Sequence, residues 1–176
     1  GNYCVQGSSQ PEPCPVGRYT NSLGVVSSSA CTACDAGKYC GTIGLTAPTG
    51  DCAAGSYCTL GASTAVQGSA TETGGPCLAG AYCLAGTIVS TDCPVGTYFT
   101  GTGNTGVVSF TDTNAAAHTF LCTPCASGRA CLIEGLTAST GVGTDACDAG
   151  HFCDLGAKIV AAVCDDDSSC EHLYGL

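Results

Sequence analysis

Seven residues, CDAGKYC at positions 34–40, return as CAAGSYC at 52–58, CLAGAYC at 77–83 and CDAGHFC at 147–153. Each copy carries two cysteines six positions apart with a glycine and an aromatic residue between them, which limits the chain to folds built from small covalently stapled pieces. CPVGRYT (14–20) and CPVGTYF (93–99) keep the first cysteine, the glycine and the tyrosine but lose the second cysteine. CASGRAC (125–131) lacks the aromatic residue, and CDDDSSC (164–170) keeps only the cysteine spacing. Six of the 7 tyrosines occupy the aromatic position of the motif, including Tyr3. A reaction does not need six copies of one side chain, so the repetition is read as structural.

The rest of the composition agrees. With 17 cysteines, no Trp or Met and 4 Phe in 176 residues, the chain has little material for one large packed interior. This cysteine content is the level at which a disulfide scaffold becomes the default for a secreted chain. The glycine is expected to make a tight corner and the tyrosine to lie over neighbouring sulfur with its hydroxyl in water. The predicted fold class is therefore a small disulfide-rich one, mostly irregular, with short β-hairpins near each Gly-x-Tyr and little or no helix. GNTGVVSFTDT (103–113) suggests a further hairpin turning at its Gly-Asn pair, and DLGAKIVAAVC (154–164) a turn or two of helix.

A second, longer period overlies the motif. Cys31, Cys34 and Cys40 recur as Cys122, Cys125 and Cys131, 91 residues on. One full period holds eight cysteines: 34, 40, 52, 58, 77, 83, 93 and 122. The expected organisation is 1–33 as the end of a preceding period, 34–124 as one complete period and 125–176 as the start of a following one. Residues 100–121 form an insertion and a candidate lateral contact surface. GNYCVQGSSQ has no signal-peptide pattern, so the chain reads as an interior piece or mature form of a secreted protein.

CPVGRYTNSLGVVSSSACTACDAGKYC (14–40) and CPVGTYF…CTPCASGRAC (93–131) resemble the ephrin-receptor-like cysteine-rich repeat, a cousin of the tumour-necrosis-factor-receptor module. That resemblance implies an elongated, ladder-like stack, of the kind found in receptor ectodomains, secreted multidomain proteins and large surface proteins of protists. It also implies a pairing in which each first cysteine reaches the first cysteine of the next unit: Cys14–Cys31, Cys34–Cys52, Cys93–Cys122 and Cys125–Cys147. The second cysteines then pair as Cys40–Cys58 and Cys131–Cys153, with Cys77–Cys83 and Cys164–Cys170 as local loops and Cys4 unpaired. The rival scheme joins nearest neighbours: 4–14, 31–34, 40–52, 58–77, 83–93, 122–125, 131–147 and 153–164, stranding Cys170. The first is preferred because it avoids Cys-x-x-Cys bridges, a spacing more often redox-active than structural.

The Cys-x-x-Cys pairs 31/34 and 122/125 have half the spacing of a zinc site, but they lie at equivalent points of an array rather than in one knuckle, and disulfides are the stronger reading. Asp165, Asp166 and Asp167 form an acidic loop without the glycine and bidentate glutamate of a calcium loop. His118, His151 and His172 lie in unrelated surroundings, and no nucleophile, base and orienting acid assemble around them. No catalytic role, cofactor or metal is expected. The net charge of −10 opposes a nucleic-acid partner, which needs a positive footprint. No apolar run reaches the length of a membrane span.

Serine and threonine crowd the loops between cysteines, and O-glycosylation is the functional reading there, with Ser27, Ser28, Ser29, Thr64, Thr71, Thr73, Thr137 and Thr140 as candidate acceptors. No Asn-x-Ser/Thr sequon is present. The expectation is a structural component of an extracellular filament, flagellar hair or cell-surface coat, self-associating through its repeats. The alternative is the stalk or ligand-binding region of a receptor or adhesion protein.

Overall fold

The computed structural model describes residues 1–111, 117–147 and 153. Their secondary structure is eight separate two-stranded antiparallel pairs and a single 3-10 turn, Ser28–Ala30. The fold is thus disulfide-rich, nearly free of helix and assembled from short hairpins. The segment 154–164, expected to be helical, and the Cys164–Cys170 loop lie outside the described residues.

The hairpins follow one rule. The residues between the motif glycine and its second cysteine form one strand, and the residues just before the next motif's first cysteine form the other. Arg18–Tyr19 pairs with Thr32–Ala33, Lys38–Tyr39 with Gly50–Asp51, and Ser56–Cys58 with Gly74–Pro76. Further along, Ala81–Tyr82 pairs with Thr91–Asp92, Thr97–Tyr98 with Thr123–Pro124, and Arg129–Cys131 with Thr144–Ala146. Asn2–Tyr3 pairs with Glu12–Pro13 in the same way, so Gly1 and Cys4 stand at the glycine and second-cysteine positions of a motif.

The chain divides into two compact units, Gly1–Cys77 with Cys83–Ser90, and Leu78–Tyr82 with Thr91–Leu176. In the first, Tyr39 packs on a cluster of Cys52, Cys58 and Ala62. In the second, Tyr98 packs on Cys125, Cys131 and Leu136. In both cases the tyrosine covers the sulfur of the following motif. The largest fully buried side chains are all cysteines, twelve of them from Cys14 to Cys131. Sulfur takes the place that leucine and phenylalanine fill in an ordinary core.

The bridges are mostly local. Cys34–Cys40, Cys52–Cys58, Cys77–Cys83, Cys125–Cys131 and Cys147–Cys153 each close a single motif. Cys14–Cys31 and Cys93–Cys122 span 17 and 29 positions. Cys14–Cys31, Cys77–Cys83 and Cys93–Cys122 therefore form as the sequence suggested, and Cys4 is free. The staggered bridges Cys34–Cys52, Cys40–Cys58, Cys125–Cys147 and Cys131–Cys153 do not form, and neither does any pair of the nearest-neighbour scheme among the described residues.

The physical cause of this correction is the turn inside the motif. The Lys38 N–H donates to the Asp35 carbonyl at 3.0 Å, with Gly37 at φ +78° in the third place of the turn. That sign of φ at that place is what a type II turn demands. The turn folds the motif back on itself and brings the α-carbons of Cys34 and Cys40 to 5.8 Å, within bonding range. Cys52 meanwhile lies against the corner glycine, its N–H donating to the Gly37 carbonyl at 2.9 Å. Where the second cysteine is replaced, by Thr20 or Phe99, the first has no local partner and reaches the additional cysteine placed three before the next motif, Cys31 or Cys122.

The insertion also differs from expectation. Its hairpin joins Val108–Thr111 to Ala117–Phe120, downstream of the Gly-Asn pair. Asn104 instead is buried at the base of the insertion. Its side-chain oxygen accepts the Gly106 N–H at 3.0 Å, and its amide donates to the Leu121 carbonyl at 3.3 Å and to Cys122 Sγ at 3.4 Å.

Candidate functional site

The recurrent structural feature is the junction between one motif and the next. Where motif 34–40 meets motif 52–58, four backbone hydrogen bonds cross. Gly37 N–H donates to the Cys58 carbonyl at 2.9 Å, and Cys52 N–H to the Gly37 carbonyl at 2.9 Å. Cys40 N–H donates to the Ala62 carbonyl at 2.9 Å, while Gly61 N–H returns to the Cys34 carbonyl at 2.8 Å. The same four bonds join motif 14–20 to motif 34–40, through Gly17, Cys40, Cys34, Thr20, Leu45, Gly44 and Cys14. They recur from 52–58 to 77–83 and from 93–99 to 125–131.

In the junction from 34–40 to 52–58, the four bonds use the N–H or the carbonyl of each of the four cysteines, and both polar groups of Gly37. Buried backbone groups must find partners, and this arrangement satisfies them without a continuous sheet or helix. The cysteines thus serve twice: their sulfurs close the motif and their main chain fixes the next motif in register.

A second contact skips one motif. A β-carbon on Gly37 would stand 2.4 Å from the Gly86 carbonyl oxygen, and one on Gly80 would stand 2.2 Å from the Gly135 carbonyl oxygen. At such separations only hydrogen fits, so the glycine permits motifs two apart to touch backbone to backbone.

Side chains at the variable position between the glycine and the aromatic residue tie the hairpins together. Arg18 Nη1 donates to the Cys31 carbonyl at 2.7 Å, Lys38 Nζ pairs with Asp51 Oδ1 at 2.6 Å, and Arg129 Nε donates to the Ser139 carbonyl at 2.8 Å. Sequence reasoning missed Gln67, which is buried. Its amide donates to the Thr64 carbonyl at 3.0 Å, to Thr64 Oγ1 at 3.2 Å and to Cys58 Sγ at 3.7 Å. Its signal was weak, a lone glutamine in a loop of small polar residues.

Two of the tyrosine hydroxyls reach carboxylates. Tyr3 donates to Glu12 Oε2 at 2.6 Å and Tyr19 to Asp35 Oδ1 at 3.3 Å. The hydrogen bond to Glu12 holds the Tyr3 phenol above its ordinary value of 10.0; desolvation does most of the same for Tyr19, aided by the Asp35 charge. Lys38 is raised above 10.5 by its hydrogen bond to Asp51. In each case the folded state favours the protonated form. The stabilisation is complete below the ordinary value and is lost as pH rises through the folded one. A spectrophotometric titration is therefore expected to show Tyr3 and Tyr19 ionising at higher pH in the folded chain than in the reduced, unfolded chain. Glu12→Gln should bring Tyr3 back toward the ordinary value, and an unchanged Tyr3 titration would contradict the hydrogen-bond cause.

Among the candidate glycan acceptors, Thr64 binds Gln67 and the Val66 carbonyl, Thr71 bonds with Thr73, Ser27 with Ser29, and Ser28 with Tyr3. Ser28, Ser29, Thr64, Thr71, Thr137 and Thr140 stand at the surface. The thiols of both Cys-x-x-Cys pairs are consumed in bridges, since Cys31 joins Cys14, Cys34 joins Cys40, Cys122 joins Cys93 and Cys125 joins Cys131. That chemistry leaves no thiolate there for zinc. Asp165, Asp166, Asp167, His151 and His172 lie outside the described residues, and His118 falls on the second strand of the insertion hairpin.

Among the described residues no helix is long and apolar enough to cross a membrane. The seven disulfides among the described residues fit an oxidising compartment. No protein-family model and no curated protein matches the chain.

Proposed function

We infer that the chain is a non-catalytic structural element of an extracellular filament, flagellar hair or cell-surface coat, working by self-association of stapled repeats. The observation that carries this reading is the four-bond junction, made four times from the same backbone groups. A contact that recurs at four junctions between successive motifs has no built-in end, although 77–83 meets 93–99 through only two of its bonds, and arrays of this kind propagate by nearest-neighbour interactions. Identical head-to-tail contacts that do not close produce filaments.

Two further features support it. The interior is mainly cystine sulfur with small residues such as Ala62, Ala81 and Ala130, which gives covalent toughness with little reactive side-chain chemistry. Ser28, Thr137 and Thr140 would take O-linked glycans that solubilise a surface on which Leu23, Val89 and Val142 stand open to water.

Electron microscopy of native material tests the proposal. Uniform fibres with a constant axial repeat, labelled by an antibody to this chain, are expected. Isolated particles attached to a membrane-anchored protein would overturn it in favour of a receptor stalk.

A further inference from the structure

The hairpin Val108–Thr111/Ala117–Phe120 stands apart from the repeating scheme. It belongs to the insertion closed by Cys93–Cys122, and its base is fixed by Asn104. Among the described residues it forms a two-stranded sheet of its own, so each strand has one edge without a backbone partner. The other hairpins are two or three residues deep and built into junctions; this one pairs four residues on each side. A lone hairpin is marginal in water, and an open edge is a template for another strand.

Its sequence lacks the usual protections of an edge. Residues 94–121 contain no Lys, Arg, Glu or second Pro, and a single acidic residue, Asp112, in a chain that carries 14 Asp or Glu against 4 Lys or Arg. In the ladder Val108 stands opposite Phe120 and Ser109 opposite Thr119, and Ser109 and Thr119 are exposed. Two of the 4 phenylalanines of the chain are spent here.

We propose that the free edge of Val108–Thr111 pairs with the same edge of a second copy of this chain, joining two hairpins into a four-stranded antiparallel sheet across a two-fold axis. The occupant follows from charge and symmetry. Two copies at −10 each repel, and the insertion, with one acidic residue in 94–121, is one of the stretches across which they can approach with little charge between them. An antiparallel pairing of a strand with itself is isologous, the geometry of a two-fold dimer. With Ser109 on the axis, residue 108 of one copy stands opposite residue 110 of the other in the backbone register, and the neighbouring pairs follow in antiparallel order. Each strand holds one Phe and one Thr, and the Val108–Thr111 edge is favoured over Ala117–Phe120 because it adds a valine where the other has an alanine. One such contact is small and therefore weak, but it adds up where many copies lie side by side.

This deepens the assembly reading by assigning a lateral contact, and it rests on that reading for its role. The test is sedimentation of the oxidised chain at concentrations up to about 1 mM, the range in which weak pairing is seen. Reversible dimers are expected. Ser109→Glu and Ser109→Lys each place like charges opposite one another at the axis and should each raise the dissociation constant at least tenfold. An equimolar mixture of the two should recover dimers, because the charges are then opposite. Thr119→Glu, on the other strand, should leave dimerisation unchanged, and an unaltered disulfide map confirms that each variant is folded. A wild-type chain that stays monomeric, single variants that dimerise like wild type, a mixture that stays monomeric, or a Thr119→Glu chain weakened as much as Ser109→Glu would each overturn the proposal. Native fibres alongside a monomeric isolated chain would sink the lateral contact alone; dimers without native fibres would sink the filament reading alone.

Discussion

Gly37→Ala is expected to destabilise the first unit by roughly 2–4 kcal/mol, enough to shift its urea midpoint far below that of the wild-type chain. Two costs combine. Gly37 has φ +78°, which asks any β-carbon to stand close to the following carbonyl, at about 1–2 kcal/mol. That β-carbon would also lie 2.4 Å from the Gly86 carbonyl oxygen and 3.3 Å from its carbon, so two backbones must part. Gly24→Ala separates the two costs, because Gly24 has φ +74° but no atom within 4 Å of the place its methyl would take. It should lose only the conformational share. Equal effects for the two substitutions would show that the contact between motifs two apart carries no weight.

Removing the longest bridge should cost more than removing a motif staple. Loop-closure entropy gives about 3–4 kcal/mol for Cys93→Ser with Cys122→Ser, which opens a 29-position span, and about 2–2.5 kcal/mol for Cys34→Ser with Cys40→Ser, which opens 6. The long bridge also anchors the base of the insertion, since Asn104 bonds to Cys122 Sγ. Paired substitutions avoid leaving a thiol to scramble. Urea midpoints and hydrogen exchange at the Gly106 N–H, which Asn104 holds, measure both effects. A motif staple that proved costlier than the long bridge would mean that the staples act mainly through native geometry rather than by restraining the unfolded chain.

Much of this fold was legible in the sequence, and the part that was not has a definite origin. The recurrence of Cys-x-x-Gly-x-Tyr placed the strands correctly, because glycine and the aromatic residue dictate a corner followed by extended chain. The tyrosine's position over sulfur followed from its apolar ring and polar tip, as Tyr39 and Tyr98 show. The pairing of cysteines was misjudged for Cys34, Cys40, Cys52, Cys58, Cys125, Cys131, Cys147 and Cys153, because a family resemblance supplied a staggered scheme, whereas the turn brings the two cysteines of one motif together wherever both are present. A signal for the correct scheme was present. Motifs 14–20 and 93–99 lack a second cysteine, and each is followed by an additional one, Cys31 or Cys122. Reading the loss and the gain as a pair would have made every other motif self-contained. The hydrogen bonds of Asn104 and Gln67 had no comparable signal, since a buried amide in a loop is recognised only once its partners are in place.

The self-contained motif has a consequence for how such a chain changes its length. A duplication or deletion that moves one whole motif, such as 52–58 with its following loop, carries both halves of its bridge and orphans no cysteine. A motif of the other kind moves safely together with its downstream partner, as 14–31 or 93–122. Because four of the junctions are made from the same backbone groups, a motif placed at one of them meets the same donors and acceptors as the one it displaced. Copy number is therefore a quantity that heredity can alter in single steps without disturbing oxidative folding, and a staggered pairing would have tied every motif's fate to the next.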